Sequence, residues 1–584
     1  MKQFLMFTAT AILCGSPAGV AGAAPADQNA AAPVLVELMA DELDYSMQNL
    51  VNDDGTRPYY LAYTITDVVS DSIAGQLGAI FRDDTGRDRV LDVDLRIGEY
   101  ELDNTHQIRG RGGGFARGFG GGAISLEDSP DAIRHALWRT TDEQFKAAIQ
   151  RYQQVLTNLK TMVEEESQAG DFSRERPSIY FEDDAVLELD HEAWARRIRA
   201  VSELARQYPL IYSSQVAINA TAENRYMVSS EGTRLKTGRK LLRVSVTAST
   251  KAEDGMDLSQ TYLFNVASEA GLPDEAEMRQ AFQGVIDMVL ALREAPLVEP
   301  YTGPAILMNR ASGVFFHEIF GHRIEGHRQK DVEEGQTFAK KIGKPILPDF
   351  MSVLDDPTRA RMVDEDLRGF YRYDDEGVPA SRVELVRNGV LQTFLLSRSP
   401  LAGFPRSNGH GRRSPGNTVV SRQGNLIVHS ERAIPFEALR RMMIEECRAQ
   451  DKPYGFMFED ITGGFTMTTR GGPQAFKVLP VVVYRVYADG RPDELVRGVD
   501  IVGTPLSCFS QITCTGDDPG VFNGTCGAES GWVPVSAVSP SILVRQIEIE
   551  KRQRSQERPP ILTPPIAADD QAAGAAAPTG RKEN

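Results

Sequence analysis

Hydrophobic and polar positions change period in blocks along the chain. Residues 59–66, Tyr-Tyr-Leu-Ala-Tyr-Thr-Ile-Thr, and 90–95, Val-Leu-Asp-Val-Asp-Leu, predict strands. Thr141, with Gln144 three residues on, then predicts a helix start, and Phe145, Ala148, Ile149, Tyr152, Val155, Leu156 and Leu159 share one helical face. A second helix is expected from Asp190, burying Trp194, Ile198, Val201 and Leu204. Strand-like runs return at 210–218, 226–229 and 242–246. Pro273 and Asp274 open a further helix, with Met278, Phe282, Val285, Ile286 and Val289 facing inward. Beyond residue 300, strand patterns dominate. They comprise a strand at 304–308, one helix holding a histidine motif, a hairpin over 383–395 turning at Asn388-Gly389, and alternating runs at 478–487 and 543–549.

These blocks predict an α+β protein. An N-terminal α/β region over residues 34–298, divisible into subdomains at 34–128 and 129–298, precedes a mainly β C-terminal domain over 299–550. The helix holding the histidine motif lies at the start of the second half. The Gly-rich segment 110–122 reads as a surface loop, since it lacks the Gly-Lys-Ser ending of a phosphate-binding loop. Residues 24–33 are Ala-rich, and 551–584 read as a Pro- and Ala-rich disordered tail.

Length and charge narrow the picture. A chain of 584 residues exceeds one hydrophobic core. Its net charge of -17 argues against a nucleic-acid binder, which needs a basic face to displace counterions. Lys2, the apolar run 4–13 and Ala21-Gly22-Ala23 have the order of a signal peptide over 1–23, too short to span a bilayer. No later run is long and apolar enough for a membrane helix, so an exported protein without stable membrane insertion is expected, periplasmic or extracellular. Four cysteines follow the signal: Cys447, Cys508, Cys514 and Cys526. Cys508 and Cys514 are the first candidates for a disulfide.

The chemistry concentrates at His317-Glu318-Ile-Phe-Gly-His322. Two neutral imidazoles can hold Zn²⁺, which acidifies a bound water to a pKa of about 7. The neighbouring carboxylate can take that water's proton and pass it to a leaving amine. The spacing makes a structural demand. Histidines five apart point about 140° apart on a regular helix, so a distortion is required, and Gly321 is where it is expected. The alternative is a pair of ordinary helix-end histidines. A catalytic zinc also needs a third ligand. His327, Glu325, a distant carboxylate or a cysteine are the candidates.

The sequence resembles the TldD/PmbA metallopeptidases. The resemblance rests on the segment His317-Glu318-x-x-Gly321-His322-x-x-Glu325-Gly326, then Asp375-Glu376-Gly377-x-Pro379 and Asn388-Gly389. It continues through Gly409-x-Gly411-Arg412-Arg413 and Cys526-Gly527, followed by Val533-Pro534-Val535 and Pro540. It covers about residues 300–550. It implies one zinc per chain held by His317, His322 and Cys526, with Glu318 as the base; otherwise Cys526 is a disulfide partner or a buried thiol. It also implies peptides or unfolded proteins as substrates, and a homodimer or a heterodimer with a paralogue. Arg412 and Arg413 either bind the substrate carboxylate or brace their loop, and bracing is the expectation. Two other readings compete: a non-catalytic dimeric peptide-binding scaffold with a structural metal, and a cell-wall peptide amidase. Glu318 favours catalysis, because a structural zinc site needs no adjacent base.

Overall fold

The computed structural model describes residues 32–108, 121–161, 169–330, 334, 337–466, 468, 476–552, 558–562 and 564–565. The expected signal peptide, most of the Gly-rich segment and most of the expected tail lie outside these residues.

Seven strands of the N-terminal half form one sheet, antiparallel except where Ile179–Phe181 runs parallel to Arg234–Lys251. Helices cover a single face of it. Val34–Asn49 and Pro130–Thr161 pack over Leu61, Tyr63 and Ile65, while His191–Ser202 and Glu275–Glu294 pack over Ile73, Val216 and Val244. Tyr63, Ile65 and Ile73 are odd-numbered residues of one strand, Pro58–Gln76, so both helix pairs lie on the same side.

The caps explain two helix starts. Asp190 accepts from Ala193 N, and Asp274 with Glu277 forms a reciprocal capping box. The expected start at Thr141 is displaced, because the helix begins at Pro130. Thr141 sits inside it, donating to Leu137 O at 2.6 Å and bonded to the Tyr63 hydroxyl at 2.7 Å. A Thr hydroxyl can bond back along its own helix as well as cap one. The expected strands 210–218 and 226–229 are parts of one strand, Ser213–Ser229. Asn219, Thr221 and Glu223 interrupt its hydrophobic pattern because they lie on the face turned away from the helices.

The C-terminal half is mainly β. One sheet of six strands runs, in order, Val390–Leu391, Val383–Arg387, Met351–Asp355, Asn425–Ser430, Gly531–Ser539 and Gly520–Ala528, which is an edge. Asn388 and Gly389 turn the predicted hairpin at φ 46° and 77°. A second sheet of eight strands includes Tyr301–Leu307, Tyr454–Thr466, Phe476–Tyr487 and Ile542–Lys551. The helix Asn309–Ile319 lies between the two sheets, touching Tyr454–Thr466 on one side and Gly531–Ser539 and Gly520–Ala528 on the other. Ala311 to Ile319 are all buried, the polar Ser312, His317 and Glu318 included.

All four described cysteines are free thiols. The expected Cys508–Cys514 bond is not formed, because the side chains enter different cores. Cys508 packs with Phe315 and Phe509, whereas Cys514 packs with Leu439 and Met443 under the helix Phe436–Ala449. Among the described residues no helix is long and apolar enough to cross a membrane.

Candidate metal centre

The motif helix ends where the sequence demands a distortion. Its last residue is Ile319, and Gly321–Arg323 form a 3₁₀ turn. A side chain at Gly321 has no room, since its Cβ would lie 1.9 Å from Gln423 Oε1. The tighter turn brings His322 back toward His317, with ring centroids 5.1 Å apart. The edge strand Gly520–Ala528 delivers Cys526, whose Sγ is 3.3 Å from His322 Nε2.

One ligand atom from each of His317, His322 and Cys526 lies within 4.8 Å of the others, and all three residues are buried. In a tetrahedral zinc site, bonds of about 2.0–2.3 Å set ligand atoms about 3–4 Å apart. The donor set of two imidazoles and a thiol suits zinc. His317 Nδ1 is buried with no hydrogen-bond partner among the described residues, while the His317 ring lies beside Cys526. Burial alone would raise the Cys526 thiol, but His322, His317 and Arg422 hold it well below its ordinary value. Burial alone would lower both histidines, but the Cys526 sulfur beside them holds both above theirs. The pocket thus favours a thiolate, the form that binds metal.

Glu318 stands beside this cluster, its Oε2 4.0 Å from His322 Nε2, with 11% of its side chain exposed. It lines a cleft of about 850 Å³ together with all three candidate ligands. Gly464 on the strand opposite leaves it room, since a Cβ there would come within 2.9 Å of Glu318 Cγ.

Of the other ligand candidates, Glu325 reaches the opposite side of the His322 ring. Its Oε2 is 3.3 Å from Nδ1, whereas Cys526 faces Nε2. Glu325 is fully buried between Arg328 Nε at 2.9 Å and Arg422 Nε at 3.4 Å. Burial would raise its carboxyl, but His322, Arg328 and Arg422 hold it down at about 2. His327 also turns away from the cluster and bonds Glu529 through Nε2. Arg412 Nη1 donates to Gln423 O at 2.5 Å, and Arg413 Nη1 donates to Asn417 O at 3.1 Å, so both arginines tie down their own loop and its surroundings.

Residues 300–551 match the model of the PmbA/TldA metallopeptidase C-terminal domain. A metalloprotease of Archaeoglobus fulgidus is 29% identical over 251 residues, covering 43% of this chain and 53% of that protein. The zinc metalloprotease TldD homolog of Saccharolobus solfataricus is 26% identical over 251 residues, covering 42% and 51%. Residues 300–551 are therefore a C-terminal domain of the PmbA/TldA metallopeptidase type.

The sequence matches span about half the length of these relatives. The likeness of fold extends further. TldE from Thermococcus kodakarensis superposes with a TM-score of 0.58 at 13% identity, over 88% of this chain and 100% of that one. The likeness of fold to TldE thus extends over both the N-terminal and the C-terminal half of this chain.

The sequence reading missed several residues around the cluster. Arg422 is fully buried, donates through Nη2 to Cys526 O at 2.8 Å and pairs with Glu325. Arg328 bonds Glu325 and Glu529. No local pattern marks either arginine. A signal was available only for Glu325, which stands within the motif segment.

Proposed function

We propose that this protein is an exported zinc metallopeptidase that hydrolyses peptide bonds in extended or unfolded polypeptides. The observation that carries the reading is Glu318, a carboxylate lining the cleft beside a three-donor cluster of two histidines and a cysteine. A purely structural zinc is closed by four ligands and requires no base. Bound zinc supplies Lewis acidity toward a carbonyl oxygen and acidifies water. Glu318 takes the proton of the attacking water and returns it to the leaving nitrogen. Glu325, on His322 Nδ1, fixes the ring so that Nε2 faces the cluster. The cleft's volume of about 850 Å³ is enough for a few residues of a polypeptide. Export rests on the signal-like residues 1–23, and dimerisation with itself or a paralogue rests on the family resemblance.

The test compares the zinc-loaded parent with Glu318→Gln and Cys526→Ala, measuring zinc per chain and hydrolysis of an unfolded protein. Glu318→Gln should keep one zinc and lose about 10²–10⁴-fold in rate. Cys526→Ala should lose both zinc and activity. Zinc retained without Cys526 would sink the ligand assignment. A zinc-loaded parent that cleaves no peptide, but does cleave cell-wall peptide amides, would move the reading to an amidase.

A further inference from the structure

The face of the N-terminal sheet that carries no helix meets the strand that holds Cys526. On Arg234–Lys251, Val244 and Val246 point into the helical core, which leaves Arg239 and Arg243 on the opposite face. Arg243 Nη2 donates to Asn523 O at 3.4 Å, and Arg368 N donates to Asn523 Oδ1 at 3.2 Å. The two guanidiniums converge on one oxygen, for Arg243 Nε and Arg368 Nη1 donate to Asn265 Oδ1 at 2.8 and 3.4 Å.

Among the described residues neither guanidinium has a carboxylate partner; their acceptors are neutral amide oxygens. The cationic neighbours are already neutralised. Arg239 pairs with Glu223 at 2.8 Å and Arg310 with Asp460 at 2.9 Å. The Nε–H of Arg368 is buried without an acceptor among the described residues. Burial, with Arg243 and Arg239 beside it, holds Arg368 below its ordinary value. A chain of net charge -17 thus keeps two adjacent, partly buried positive charges uncompensated. Such an arrangement is costly unless an anion completes it. Two planar forks suit a carboxylate.

Asn523 precedes Cys526 by three residues on the same strand, about 10 Å. We propose that Arg243 and Arg368 form a receptor for a carboxylate of the peptide substrate, about three extended residues from the scissile bond. The carboxylate is either the C-terminal α-carboxylate or an Asp or Glu side chain. The assignment of this ligand to a substrate rests on the peptidase reading above.

The test uses the full chain, zinc-loaded, with Glu318→Gln to hold peptides uncleaved. Fluorescent peptides of one sequence, ending in a free carboxylate or an amide, and carrying Glu or Gln internally, are titrated by anisotropy. Carboxylate-bearing peptides should bind about tenfold tighter or more than their neutral counterparts. Adding Arg243→Gln and Arg368→Gln should erase that difference without lowering the melting temperature of the free protein. Preference for the free terminus identifies the α-carboxylate, and preference for internal Glu identifies the side chain; either supports the receptor. Equal affinity for charged and neutral peptides overturns it, as does a preference that survives the double substitution. A lowered melting temperature in the double variant makes the pair a structural brace and also overturns it. If charge-dependent binding is found but Glu318-containing protein cleaves none of the peptides, the receptor stands and the peptidase reading falls. If charged and neutral peptides are cleaved with one KM, the receptor falls and the peptidase reading stands.

Discussion

At the scale of single residues, the cluster is a problem of orientation. An imidazole presents one nitrogen to an ion in a fixed direction when its other nitrogen is held, and for His322 the holder is Glu325. Glu325→Gln should therefore weaken zinc binding about 10–100-fold, read by competition with a chelator of known affinity. Unchanged affinity would remove Glu325 from the positioning role. His317, Glu318 and His322 were legible in the sequence because they lie within six consecutive residues. Cys526 was not legible from spacing, since 204 residues separate it from His322. It entered only through the family resemblance. Glu325 and His327 were indistinguishable as ligands until the fold put one on the far side of the His322 ring and the other on Glu529.

At the scale of elements, the site depends on one helix held between two sheets. Phe316 is fully buried in it, stacked on Phe509 at 5.8 Å between ring centroids. Phe316→Ala should cost about 3–5 kcal/mol, measured by denaturant unfolding of the zinc-loaded protein. A cost under about 1 kcal/mol would mean that the surrounding core collapses onto the gap. The break of this helix after Ile319 was foreseeable, because five-residue spacing cannot face one ion on a regular helix. The start at Pro130 was not foreseen, because Thr141 and Gln144 look like a cap wherever they stand in a helical pattern. The hairpin at Asn388-Gly389 was foreseen, since few residue pairs accept positive φ at both central positions.

At the scale of the whole molecule, the halves are joined by buried polar contacts. Arg398 Nε donates to Ser173 O at 3.0 Å, and its Nη1 lies 2.8 Å from Glu231, both in the N-terminal half. Beneath it, Glu376 Oε2 accepts from Arg398 N at 2.6 Å. Burial and the Asp374 carboxylate push the Glu376 carboxyl up to about 8. The folded chain therefore holds this proton more tightly than the unfolded chain, whose value is about 4.3. The stability it contributes is complete below that value and is lost as pH rises through about 8. The melting temperature of the parent should fall between pH 5 and 8 more steeply than that of Glu376→Gln. Parallel profiles would show that Glu376 is already ionised at pH 5. The sequence by itself determined the α+β class, Glu318 with its flanking histidines as candidate site residues, and the turn and cap chemistry, because each is written in neighbouring residues. Only the tertiary structure decided which far-off side chains meet: Cys526 with His322, Arg422 with Glu325, and Arg243 with Arg368. The reason is that strand pairing and sheet packing fix contacts between positions far apart in the chain, which no local period records.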